Sequence, residues 1–282
     1  MRIETEMTGQ IKLTGMVLVS MPVGDYDRRL TILTKERGKI SAFAKGARKP
    51  TSALLGASQP FAFGEFVLYE GKSSYNVVGA DISNYFAELR DDMSAIYYAM
   101  YFCEFCCYMT KENLEAGEVL KLLYMTLRAL TKPSLDKKLV RRIFELRFMA
   151  VNGEMPQVDS CVLCGREEML KEEKAWFSAG EGGLLCEDCR RKRMQERETM
   201  AGAASKGAAG QYGSRAPWDD AVLVGTSTIY TMQYILATPL EKLFTFTVSE
   251  EVLEELSNVM TWFLNKHVGH TMRSEEMLEV FG

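Results

Sequence analysis

Residues 28–44 read RRLTILTKERGKISAFA, and this stretch decides the fold. A strand runs through Arg28 to Leu33 and stops before Arg37-Gly38, whose glycine suits a tight reversal. Ile40 to Ala44 makes the returning strand. Upstream, Ile11, Leu13, Val17 and Val19 alternate with polar or small residues, as a half-buried strand requires, until Pro22-Val23-Gly24-Asp25 breaks the run. Downstream, residues 46–59 are loop-like, with Pro50 and Gly56. Residues 61–69 and 73–80 then form a last pair around Glu70-Gly71-Lys72. Five short strands in about 80 residues predict a small barrel of the oligonucleotide-binding (OB) type.

The same stretch concentrates charge. Residues 28–49 hold eight cations (Arg28, Arg29, Lys35, Arg37, Lys39, Lys45, Arg48, Lys49) against one acid, Glu36, a net +7. The whole 282-residue chain carries −4, so the other 260 residues carry −11. An acidic body with one concentrated basic face offers that face to a polyanion. The bland alternative is a solvated strand edge that uses Lys and Arg against aggregation. Tyr26, Phe43, Tyr69 and Tyr75 lie in or across from the basic stretch, where exposed rings can stack unpaired bases. Phe43 reads as core rather than platform by ordinary burial preference.

Beyond residue 82 the texture changes. Leu120, Leu123, Leu127 and Leu130 recur at helical spacing, and Lys132-Pro133 interrupts them. Ser134 is placed to cap a further helix that stops at Asn152-Gly153. Near the end, residues 226–236 read as helical, and Ser249 with Glu250 and Glu251 starts a last long helix.

Between these helical parts lie Cys161/Cys164 and Cys186/Cys189, two Cys-x-x-Cys pairs separated by 21 residues. Four sulfur ligands at this spacing suit a tetrahedral structural zinc site with no open coordination position. Paired disulfides would need an oxidising compartment, and a redox Cys-x-x-Cys usually stands alone beside a βαβ pattern. A basic run, residues 190–193, follows the second pair. Residues 201–217, rich in Gly, Ala and Ser, read as a flexible insertion. The expected organisation is α+β: an OB-type five-stranded barrel (1–82), then a helical domain (83–155 and 218–282) carrying the zinc module (156–200) and the insertion (201–217).

Little else points to chemistry. Cys103, Cys106 and Cys107 sit in an aromatic-rich helix and read as small buried hydrophobes. His267 and His270 read as helix-end or surface histidines. Asp25 and Asp27 read as turn residues, while Gly180, Gly182 and Gly183 read as a tight turn into the metal site. No nucleophile–base–orienter set is present, and four cysteines leave no site for an activated water, so an enzyme is not expected. No signal-like segment opens the chain, and residues 95–109 are too short to span a bilayer, so a reduced, cytoplasmic protein is expected.

Five ordered motifs resemble one family. They are Gly24-Asp25-Tyr26-Asp27-Arg28 with residues 33–42; Lys45-Gly46-Ala47-Arg48-Lys49 with Gln59-Pro60-Phe61; Phe144-Glu145-Leu146-Arg147; Cys161-Val162-Leu163-Cys164-Gly165 with residues 182–186; and Pro239-Leu240-Glu241-Lys242-Leu243 with residues 249–251. Together they resemble the RecO family of bacterial DNA repair and recombination mediators. The insertion at 201–217 looks longer than that family's norm. The resemblance implies a non-enzymatic protein, nucleoid-associated during repair, that binds single- and double-stranded DNA and anneals complementary strands. It implies action with RecR, and indirectly with RecA, on DNA coated by single-strand-binding protein, whose acidic C-terminal tail the helical domain contacts. The expected DNA face is Arg28, Arg37, Lys39, Lys45, Arg48 and Lys49; the expected zinc ligands are Cys161, Cys164, Cys186 and Cys189. Arg128, Arg141 and Arg142 are candidates, by charge alone, for the acidic tail. The competing reading is a zinc-stabilised protein-interaction scaffold whose basic barrel meets an acidic protein.

Overall fold

The computed structural model describes residues 9–72, 74–167, 174–204 and 221–281. Five strands, β1 (Gln10–Val23), β2 (Asp27–Thr34), β3 (Gly38–Ala44), β4 (Phe63–Glu70) and β5 (Tyr75–Asn84), close into a barrel in the order β1-β2-β3-β5-β4. All neighbours are antiparallel except β3 and β5, whose short parallel pairing (Ala42 with Tyr75, Phe43 with Asn76) shuts the barrel. A single-turn helix α1 (Leu54–Ala57) links β3 to β4. This is the OB-type arrangement that the strand count predicts.

Alternation decides what goes inside. In β3, Ile40, Ala42 and Ala44 are buried while Lys39, Ser41 and Phe43 between them are half-exposed. Leu30 and Ile32 from β2, Phe66 and Leu68 from β4, and Leu13 and Val17 from β1 complete the barrel core. Period two therefore places Phe43 on the outer surface, against the burial-preference expectation. β1 also continues through Pro22 and Val23, past the expected break. It pairs with β4 only over Gln10–Met16, so Pro22 lies where β1 has a strand partner on one side only. A missing N–H is tolerated at such an edge.

Two compact units divide the chain: residues 1–140 with 272–282, and residues 141–271. The first holds the barrel, α2 (Met93–Met109), α3 (Gly117–Leu130) and the C-terminal α8 (Arg273–Phe281). Asp92 caps α2 by accepting from Ala95 N at 3.0 Å and pairs with Lys137 at 2.8 Å. Glu104 on α2 accepts from Arg273 N (3.0 Å) and Ser274 N (2.9 Å), so a carboxylate from one helix caps the open end of another. The hairpin joining β2 to β3 is pinned to the segment between α2 and α3: Lys39 N donates to Lys111 O, and Asn113 N to Arg37 O.

The helix α4 (Lys137–Val151) begins after Asp136, whose carboxylate accepts from Lys138 N at 2.7 Å; the cap is Asp136 rather than Ser134. The second unit holds the rest of α4, α5 (Glu187–Ala204), α6 (Thr226–Ala237), α7 (Glu250–His267) and a three-stranded sheet ordered β7-β6-β8. Its strands are β6 (Lys174–Ser178), β7 (Gly183–Leu185) and β8 (Ala221–Gly225). Ser249 caps α7 as expected, accepting from Val252 N. Of the expected insertion, residues 201–204 end α5 and residues 205–217 lie outside the described residues.

Candidate nucleic-acid interface and metal centre

The basic stretch splits in two. β2 and β3 pair from Arg28–Ala44 at one end to Thr34–Gly38 at the other, six residue steps, or about 20 Å. Arg37 and Lys39 lie at the reversal. There Arg37 approaches Glu70 at 3.7 Å, and Lys39 Nζ donates to Cys107 O at 2.5 Å. Lys39 thus fastens the barrel to α2. Arg28 points into the opposite mouth of the barrel, half-buried, where its Nη1 donates to Ser20 Oγ (2.9 Å), Ser58 O (3.3 Å) and Gln59 Oε1 (3.3 Å). Three acceptors on one guanidinium nitrogen give it a structural anchorage.

Of the six residues expected at the DNA face, Lys45, Arg48 and Lys49 are the exposed ones, and they lie together just past the end of β3. Asp27 organises that turn by accepting from Gly46 N at 2.7 Å, with Gly46 at φ +64° as only glycine adopts easily. Arg48 N donates to Tyr26 O (2.8 Å) and its Nη1 to Gly24 O (3.2 Å), so the β1–β2 tip and the β3 exit are tied to each other. Tyr26 is 53% exposed, and the Lys49 ammonium sits 5.4 Å from its ring centroid. Arg29, which sequence reasoning left out of the site, is exposed on β2 with Nε held by Ser41 Oγ at 3.0 Å. The alternation of Leu30 and Ile32 inward was the signal that placed Arg29 outward. One barrel end therefore presents four cations beside an exposed ring.

The four cysteines converge. Their Sγ atoms lie within 4.8 Å of one another, and Cys164 and Cys186 are 3.8 Å apart. A tetrahedron with 2.3 Å metal–sulfur arms has edges of about 3.8 Å, so the donor set fits zinc. Local chemistry builds each half. Gly165 at φ +72° closes the first knuckle, its N–H bonded to Cys161 O at 2.8 Å. Cys186 leaves β7, and Cys189 falls in the first turn of α5. Gly183 has no room for a Cβ against the Gln157 backbone, which is why glycine precedes the second knuckle. Trp176 covers this side: its Nε1 donates to Glu187 at 2.7 Å, and the Arg190 guanidinium stacks 3.5 Å above its ring.

The thiols titrate apart. Burial works against ionising Cys161, but N–H groups of Cys186, Cys164 and Leu163 outweigh it and bring the thiol down to about 7. Burial and shared hydrogen bonds with its sulfur neighbours push Cys189 up to about 12. Four thiolates this close repel one another, and a divalent cation at their centre removes the conflict. The other thiols differ. Cys103 and Cys106 are buried in α2, with desolvation holding both well above the ordinary thiol range.

Arg141 and Arg142 turn inward. Arg141 Nε meets Glu145 Oε1 at 2.6 Å and Arg142 Nη1 meets Oε2 at 2.8 Å; the two side chains are only 13% and 12% exposed, and Glu145 is fully buried. Arg142 Nε also donates to Ser257 Oγ on α7. These two cations brace the helices of their unit, while Arg128 is exposed. His267 closes α7 between Glu154 (3.3 Å) and Ala179 O (3.1 Å), as a helix-end histidine.

Family profiles match nearly the whole chain: the recombination protein O N-terminal domain over residues 7–86, and its C-terminal domain over residues 90–206 and 213–276. The chain belongs to the RecO family. It is similar to the DNA repair protein RecO of Acetivibrio thermocellus, 31% identical over 92% of each chain. It is also similar to the DNA repair proteins RecO of Alkaliphilus metalliredigens (39% identical over 64% of this chain and 72% of that one) and Moorella thermoacetica (28% over 98% and 93%). RecO membership places the chain among DNA repair and recombination proteins. The two profiles meet close to the end of the barrel, so the basic patch lies in the N-terminal RecO domain and the cysteine cluster in the C-terminal one. Among the described residues no helix is long and apolar enough to cross a membrane.

Proposed function

We propose that this RecO-family protein is a repair mediator that binds single- and double-stranded DNA through the barrel end formed by Arg29, Lys45, Arg48 and Lys49, and anneals complementary strands. The observation that carries this reading is the patch itself, four exposed cations beside an exposed Tyr26 in a chain of net charge −4. Cations on phosphates release counterions and lower the repulsion between two strands, so complementary bases can meet. Such contacts carry no sequence information, so little sequence preference is expected. Arg28, Arg37 and Lys39, engaged with protein acceptors, contribute to the field and to the frame of the site rather than to individual phosphate contacts.

The mediator role extends the same reading. Family membership supports RecR and the acidic tail of single-strand-binding protein as partners, and RecA as the recombinase that is loaded; no bond is made or broken by the protein. Zinc on Cys161, Cys164, Cys186 and Cys189 would cross-link a segment with little core of its own. The test is annealing of two labelled complementary oligonucleotides. The protein accelerates it at low salt, and Lys45→Glu/Arg48→Glu/Lys49→Glu abolishes the acceleration. If wild type and variant are equally inactive, and the patch instead retains an acidic peptide, the scaffold reading replaces this one.

A further inference from the structure

The chain leaving α6 runs back along that helix before it enters α7. The Phe246 ring meets Tyr234 near the end of α6, with centroids 4.9 Å apart, and Glu255 takes Gly225 N at its start, at 2.9 Å. Burial alternates on the way: Phe246 and Val248 are half-buried, while Thr245, Thr247 and Ser249 are exposed, the period of two that an extended backbone gives. Among the described residues, no hydrogen bond engages the backbone of Phe246, Thr247 or Val248. This segment and the Ser227, Tyr230 and Tyr234 face of α6 wall a groove of about 650 Å³, a volume typical of ligand clefts. Tyr230 is 65% exposed and so holds nothing in the core.

An unpaired extended backbone beside a groove is an edge to which a peptide strand can add. The peptide main chain pairs with residues 246–248, and its alternate side chains drop into the groove. There they meet Phe246, Val248, Val252 and the two tyrosine rings. Among the described residues none that lines the groove is charged, but carboxylates stand at its rim. Ser249 and Val252 line it, and Glu250 and Glu251, exposed in the first turn of α7, lie between them; Glu254 is exposed a turn further on. Lys174, opposite Gly225 on β6, is a single charge against these three. The α7 N-terminus would otherwise draw an anion, yet it already faces its own acids, so an acidic peptide is repelled. A cationic side chain gains the carboxylates and the open face of Tyr230.

We infer that the groove between α6 and the segment entering α7 docks an extended, basic segment of a partner protein, by strand addition along Phe246–Val248. The acidic tail proposed above as a partner engages the chain elsewhere. The groove is thus a second protein contact of the Arg141–Thr271 unit, opposite in charge preference and separate from DNA binding at the barrel.

The test uses the whole chain and fluorescein-labelled hexapeptides, followed by anisotropy. One peptide alternates valine with arginine, a second alternates valine with glutamate, and a third is the arginine peptide with every amide N-methylated. The arginine peptide should bind saturably, and Tyr230→Ala should weaken it roughly tenfold, as loss of an aromatic anchor does. Glu250→Gln/Glu251→Gln should weaken it and flatten its salt dependence. The N-methylated peptide, which cannot pair as a strand, should bind roughly tenfold more weakly or not at all. Whatever the glutamate peptide gains from the basic barrel end should not change in Tyr230→Ala. An unchanged thermal transition and unchanged strand annealing in Tyr230→Ala show that the loss is local. Arginine-peptide binding that ignores Tyr230→Ala, equal binding of the N-methylated peptide, or glutamate-peptide binding that Tyr230→Ala abolishes overturns the inference. Self-association of the chain that Tyr230→Ala removes also overturns it, by making a second copy the occupant. Each of these results leaves the DNA reading standing, because annealing does not pass through this groove.

Discussion

Replacing Glu145 separates a bracing role for Arg141 and Arg142 from a role in docking an acidic partner. The carboxylate is fully buried and takes Arg141 Nε at 2.6 Å and Arg142 Nη1 at 2.8 Å. Glu145→Gln keeps the volume but leaves two largely buried guanidinium groups facing a neutral amide. Breaking a buried ion pair by removing one partner costs about 3–5 kcal/mol, because a buried charge loses a compensating partner. The unit concerned, Arg141–Thr271, is of a size for which 1 kcal/mol shifts the midpoint by about 3–5 °C. Glu145→Gln should therefore lower the thermal transition of that unit by about 10–20 °C, followed by calorimetry with far-ultraviolet circular dichroism. The apolar triple Arg141→Leu/Glu145→Leu/Arg142→Met should recover much of the loss, since a packed hydrophobic set can replace a buried ion cluster. A loss below about 1 kcal/mol for Glu145→Gln, or Arg142→Ala weakening binding of an acidic peptide with no change in stability, would refute the bracing argument.

Three further outcomes follow from local geometry. Gly38 sits at φ +62° with the carbonyls of Lys111 and Leu114 where a Cβ would go, so Gly38→Ala should cost about 2 kcal/mol or more in denaturant unfolding and loosen the β2–β3 reversal. The purified protein should carry one zinc per chain by elemental analysis. Cys161→Ser should lose it and raise amide exchange in β6, β7 and the start of α5, whereas a Cys103→Ala variant should keep it. Asp92 is held below the ordinary carboxylate range, chiefly by the hydrogen bond from Lys137 and then by that from Ala95 N. Its stabilisation is thus full above the ordinary carboxylate range and fades as pH falls through the depressed folded value. Asp92→Ala should destabilise by about 1 kcal/mol near neutrality, less at high salt, and by nothing at strongly acid pH.

What the sequence made legible was whatever depended on local spacing. The paired knuckles and the glycine at the β2–β3 reversal each need only a few residues of context, and the sequence places them. Register and long-range pairing did the rest. The +7 run looked like one face because charge was counted along the chain, yet a hairpin sends its ends about 20 Å apart and divides the run. Phe43 reads as core by residue type, although Ile40, Ala42 and Ala44 occupy the inward positions of the same strand. The β7-β6-β8 sheet went unseen because β6 pairs with β8 across more than forty residues and no strand exceeds five. Pro22 reads as a break by residue type, whereas β1 has lost one of its strand partners by that point and runs on.

The most direct measurement is the salt dependence of binding to a labelled single strand. Wild type should show an affinity that falls linearly in log–log form with salt. Neutralising Lys45, Arg48 and Lys49 to Gln should reduce the slope by about 2, since each lost phosphate contact removes about 0.7 on a single strand. Neutralising Arg37 and Lys39 at the far end of the hairpin should leave the slope nearly unchanged. The reverse pattern, a slope that survives the first set and collapses with the second, would contradict the assignment of the DNA face.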